Sequence, residues 1–138
     1  MTEPIWLSDK EAVAINARAL TLFGGLEGGV RDETLFQAAL ARPLNKWHYE
    51  EQRPDIFELA AAYAFALCKG NVFHDGNKRT SHAVGAIFLE MNGWSHEADE
   101  SEVVHTMIGV ADGSIKEAAL AAWFRKTSKK ATALPRFP

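Results

Sequence analysis

From Gly70 to Thr80 the chain reads Gly-Asn-Val-Phe-His-Asp-Gly-Asn-Lys-Arg-Thr. An acid, two cations, two amides, an imidazole and two glycines lie there between two strongly apolar segments. A loop that turns into a helix aims its first free N–H groups at an anion, and the helix dipole reinforces them. Gly76 opens that approach, Lys78 adds a point charge and Arg79 a planar fork for two phosphate oxygens. Asp75 can hold the magnesium that accompanies a nucleotide, and Asn77 can donate to a phosphate or keep the loop in shape. The same five residues, Asp75 to Arg79, can also be no more than a capped helix start with solvated charges. His74 lies within the loop, whereas His82 falls two turns along the next helix and reads as structural. His48, His96, His105 and Cys68 have no metal-ligand spacing, and no Walker loop or nucleophile elbow is present. A phosphate cradle is legible; an obvious general base is not.

The flanking pattern predicts helices throughout. Ser8 and Glu11 fit a capping box, followed by apolar residues at Ala12, Ile15, Ala19, Leu22 and Phe23 on one face. Gly24-Gly25 stops that helix, and a second begins near Asp32, turns Leu35, Phe36, Ala39 and Leu40 inward and closes at Pro43. Residues 43–53 read as a surface loop or flap, either a solvated connection or a lip that meets a partner. A third helix from Pro54-Asp55 to about Lys69 is apolar on every side and should be central. A fourth runs from about Asn77 to Met91, so the polar loop is held between two buried helices, the support a site needs. A fifth starts at Asp99 or Ser101, and Ser114 caps a sixth. The expectation is an all-α, compact bundle of about six helices over residues 1–126, with a basic, flexible tail at 127–138.

Composition narrows the function classes. A length of 138 residues suits one domain with a real core, and a formal net charge of −3 argues against a uniformly basic surface for DNA. Cys68 is alone, so no internal disulfide points to an oxidising compartment. The early acids Glu3, Asp9 and Glu11 argue against a signal peptide, and the ten-residue apolar run Leu59 to Cys68 is too short for a membrane. The chain is expected to be cytoplasmic, with no membrane contact.

Phe73, Asp75, Gly76, Asn77, Lys78, Arg79 and Thr80 give this loop a close resemblance to the Fic/Doc motif H-x-F-x-D/E-G/A-N-G/K-R. It most resembles the death-on-curing (Doc) branch of toxins from toxin–antitoxin systems. The likeness extends to Gly24–Gly28, Tyr49–Glu51, Asp55–Glu58, Phe88-Leu89, Asn92-Gly93 and Gly109–Gly113. The resemblance implies a compact helical fold and transfer of part of ATP to a protein hydroxyl. Members with glycine before the arginine transfer AMP, whereas those with lysine, like Lys78 here, bind the nucleotide reversed and transfer the γ-phosphate. The implied target is a threonine of translation elongation factor Tu. The implied partner is an antitoxin whose helical segment lies along a groove.

By the same resemblance Asp75 binds Mg²⁺, Asn77 and Arg79 hold phosphates with Gly76 at the loop's turn, and Phe73 anchors the loop in the core. The departure is Asn71, which stands where the family has its general-base histidine. An amide cannot accept a proton near neutral pH, and such a base is worth roughly 10²–10⁴-fold in rate. Three explanations stay open: an engineered substitution that silences a toxic protein, a natural binding protein without activity, or His74 acting as substitute base.

Overall fold

The computed structural model describes residues 2–131, ordered as α1 (Asp9–Phe23), α2 (Glu33–Tyr49), α3 (Ile56–Gly70), α4 (Asn77–Met91), β1 (Trp94–His96), α5 (Glu100–Asp112), α6 (Glu117–Lys126) and β2 (Ser128–Lys130). The expected all-α fold of six helices is present. Ser8 with Glu11, and Asp55 with Glu58, form complete capping boxes, while Asp32 and Asp99 cap α2 and α5.

Helix α3 is the axle, packed against α2, α4 and α6. Leu59, Ala60, Ala61, Ala62, Tyr63, Ala64 and Leu67 are all fully buried. Its alanines let the neighbours come close, and α4 answers with Gly85. A Cβ there would lie 2.7 Å from the Phe124 ring and 3.2 Å from the Ala60 carbonyl oxygen. Phe88 and Phe124 fill the layers to either side, each buried large side chain contributing about 1.5–3 kcal/mol. Tyr63 ties the N-terminal lead-in down: its hydroxyl accepts the Leu7 N–H at 3.0 Å and donates to the Leu7 carbonyl.

Four expectations are corrected. Pro43 does not close α2; it sits inside the helix, and residues 43–49 are helical rather than a flap. Phe36, Leu40, Pro43 and Trp47 share one inward face, so the apolar period continues through the proline. Burying Trp47 against Trp6 offsets the lost backbone bond, which costs about 3 kcal/mol. Leu22, Phe23 and Leu35 are about half exposed rather than turned inward. Lys116, not Ser114, precedes α6. Residues 127–130 are no loose end, because β2 pairs antiparallel with β1, Trp94 opposite Lys130 and His96 opposite Ser128. Strands of three residues are too short to show an alternation. The expected tail beyond residue 131 lies outside the described residues.

Candidate functional site

Asn71 ends α3 in the left-handed conformation (φ 52°, ψ 48°), its N–H donating to the Cys68 carbonyl. Asparagine is among the few non-glycine residues at ease there. Arg31 fixes this end of the loop, donating through Nε to the Asn71 carbonyl at 2.8 Å and through Nη2 to that of Gly70. The backbone of residues 29–32 zips along the loop: Arg31 N donates to Val72 O and His74 N to Gly29 O. Phe73 is fully buried, edge-on to Phe36.

Asn77 shapes the loop with both ends of its amide. Its Oδ1 accepts the Phe73 N–H at 2.9 Å and its Nδ2 donates to the Phe73 carbonyl at 3.0 Å. Of the two roles open to it, holding the loop is the one the geometry displays. Asp75 accepts the Leu26 N–H on Oδ2 and the Gly76 N–H on Oδ1, and these bonds lower its pKa below the usual carboxylate value. It is therefore an anion at neutral pH. Gly76 takes φ +73°, and a side chain there would be strained and would crowd Leu20. Unlike α1, α2, α3 and α5, α4 begins without a side-chain cap and without an acid in its first turn. No side chain caps its first N–H groups, which leaves them available to an anion.

Asn16 of α1 holds this helix start from behind. The side chain is fully buried; Nδ2 donates to the Asp75 carbonyl and to Thr80 Oγ1, both at 3.0 Å, and Oδ1 accepts the Gly29 N–H. One amide thus links α1, the 24–32 connection and the start of α4. Sequence reasoning missed it, although a polar residue on the Ala12–Ala19 apolar face was a readable signal.

Asn71, His74 and Asp75 to Arg79 together line a cleft of about 530 Å³, completed by Phe23, Gly24, Val104 and Ile108. His74 is 3.9 Å from the Glu27 carboxylate. Arg79 is paired with Glu100, and its guanidinium stacks 3.7 Å over the Phe23 ring. On the other side of Phe23 an apolar groove of about 480 Å³ runs between α1, α4 and α5, with Ile15, Leu22, Ala83, Ile87 and Val103 on its walls. His82 faces that groove instead of the cleft and contacts His96, Nε2 to Nε2, at 2.9 Å.

A sequence model of the Fic/DOC family matches residues 6–89. The chain is 32% identical over 120 residues to the protein kinase doc of Escherichia phage P1, spanning 87% of this chain and 93% of the phage protein. The chain belongs to the Fic/DOC family. It is also 40% identical over 77 residues to Toxin Doc of Mycolicibacterium smegmatis, 56% of this chain and 58% of that protein. The family motif of this chain thus occupies the α3–α4 connection. Its Phe73 serves the core, its Asn77 folds the loop, and its Asp75, Gly76, Lys78 and Arg79 face the cleft.

No group of three or more metal-ligating side chains occurs among the described residues. A lone ionised carboxylate beside an anion seat still suits magnesium, which is held by one or two carboxylates and the phosphates it accompanies. The donor set fits a metal arriving with a nucleotide and does not fit a free-standing metal centre. No described helix is long and apolar enough to cross a membrane.

Proposed function

We propose that this Fic/DOC chain is a Doc-like toxin built as an ATP-dependent protein kinase. Its target is a threonine of elongation factor Tu, its place of action the cytoplasm, and Asn71 impairs it as written. The observation that carries this reading is the uncapped start of α4, set between ionised Asp75 and Arg79 in one cleft. The two relatives, one named a kinase and the other a toxin, point the same way.

In this reading the first N–H groups of α4 and the Arg79 fork hold phosphate oxygens, and Lys78 favours the orientation that presents the γ-phosphate. Asp75 keeps a carboxylate ready for Mg²⁺, which when bound neutralises charge building on the phosphates. Asn16, Arg31 and Asn77 hold these groups in place, so positioning and electrostatic terms survive without a base. Asn71 can donate to or accept from the attacking hydroxyl but cannot take its proton, a deficit of roughly 10²–10⁴-fold. The apolar groove beside Phe23 suits a helical segment of an antitoxin.

The test compares the chain with its Asn71→His variant, using elongation factor Tu and ATP labelled at the γ-phosphate. Label on a threonine, rising by two orders of magnitude or more in the variant, is expected. No label in either protein refutes the kinase reading; label carried only from α-labelled ATP replaces it with AMP transfer. A second reading, a silent module that acts only through its partner, is favoured by Asn71 serving so well as a helix cap. It requires antitoxin binding without any transfer by the variant.

A further inference from the structure

Residue 71 is the least supported position of the loop. Beyond it the loop is held three times over: Phe73 is buried, Asn77 bonds both backbone groups of Phe73, and Asn16 grips the Asp75 carbonyl. Among the described residues Asn71 has its own N–H on the Cys68 carbonyl and, at the other end of the residue, the Arg31 guanidinium on its carbonyl. Its side chain lines the cleft with no hydrogen bond to any described residue. We propose that Arg31 is a positioning residue for turnover. Its guanidinium, laid on the carbonyls of Gly70 and Asn71, sets the direction in which the side chain at position 71 meets the attacking hydroxyl. This rests on reading position 71 as the place from which that hydroxyl is addressed.

Gly70 closes α3 and Asn71 turns left-handed, so their carbonyls leave the helical ladder. One planar group reaches both, Nε to Asn71 at 2.8 Å and Nη2 to Gly70 at 3.3 Å. Rotation of the Asn71 peptide, and the swing of side chain that goes with it, strains two bonds made by a single rigid fork. A lysine, with one ammonium on a flexible stem, would neutralise the carbonyls without fixing their angle. Arg31 is exposed and does not line the cleft. Its side chain therefore neither fills the core nor meets phosphate. The bond from Arg31 N to the Val72 carbonyl belongs to the backbone and does not need the guanidinium. What falls to the guanidinium is the aim of residue 71. Misplacing a reacting group by about 1 Å costs up to about 100-fold in rate.

The experiment measures phosphate transfer to elongation factor Tu at varied ATP, using the full chain with Asn71→His as the reference. Arg31→Gln, Arg31→Lys and Arg31→Ala are added to it one at a time, and circular dichroism with thermal melting checks each fold. Arg31→Gln is expected to lower kcat about ten- to 100-fold while the KM for ATP stays within about twofold, and Arg31→Lys to recover little. Ethylguanidinium should restore part of the lost kcat to Arg31→Ala, because the exposed position admits a solute; ethylammonium should not. An unchanged kcat in Arg31→Gln overturns the proposal. A fall in kcat that comes with a lower melting temperature and no rescue by ethylguanidinium also overturns it, since that is the pattern of a merely structural residue. Equal rescue by ethylammonium overturns the fork, because charge alone then suffices. No transfer by Asn71→His with Arg31 intact refutes the kinase reading, and the positioning role falls with it.

Discussion

Acid should weaken this fold through His82. Burial, then the neighbouring His96, then Arg79 hold the His82 pKa down at about 4 from its ordinary 6.5. His96, also lowered by burial, meets it Nε2 to Nε2 and accepts or donates at Nδ1 with Thr127. Trp123 and Phe124 of α6 close over both rings, and Glu102 is the one acid whose charge works against the shift of His96. A depressed folded-state pKa means that the unfolded chain binds the extra proton first. The stabilisation is complete above pH 6.5 and is lost as the pH falls towards about 4. His82 alone then accounts for a loss of about 2 kcal/mol by about pH 5, reaching about 3 kcal/mol at its folded pKa of about 4. With an ordinary urea dependence, the unfolding midpoint falls by about 1 M between about pH 8 and about pH 5. In His82→Gln the loss over the same range should shrink to what His96 and the carboxylates contribute. Lost ring packing will lower the variant's stability at every pH, so the quantity to compare is the slope and not the level. Equal slopes in the two proteins would refute the assignment to His82.

Two further substitutions probe the support of the site. Asn16→Ala strands the Gly29 N–H, the Asp75 carbonyl and the Thr80 hydroxyl; thermal unfolding should register a loss of at least about 1–3 kcal/mol, with weaker ATP binding in calorimetry. Gly85→Ala places a methyl within 2.7 Å of Phe124, and overpacking should destabilise by about 1–3 kcal/mol. A gain in stability, the usual result of Gly→Ala in a helix, would show that α3, α4 and α6 are less tightly joined than described.

What the sequence disclosed and what it withheld divide by range. Ser8, Asp32, Asp55 and Asp99 announced their helices because a cap acts on a backbone group three residues away. The motif announced the cleft because its residues are contiguous, and the structure brings Asn71, His74 and Asp75 to Arg79 into one lining. Pro43 misled because a local rule was outweighed by the distant burial of Trp47. The pairing of β1 with β2 joins residues as far apart as Ser95 and Lys129, 34 positions along the chain, and no local pattern encodes such a partner. Asn16 and Glu100 acquire meaning only from Asp75 and Arg79, which lie 59 and 21 residues away. Leu22 and Phe23 fit the inward period, yet the fold leaves them half exposed, and they became the rim of the groove and the cleft.

The left-handed cap at Asn71 bears on how such a chain changes over generations. Asparagine and histidine are both tolerated at that backbone angle, so exchanging them leaves folding nearly untouched. Their codons differ by a single base. On the proposed reading, one position therefore governs turnover while the folded structure registers almost nothing. A lineage could lose its toxicity there and regain it without passing through an unstable intermediate, and selection on stability would not see the change.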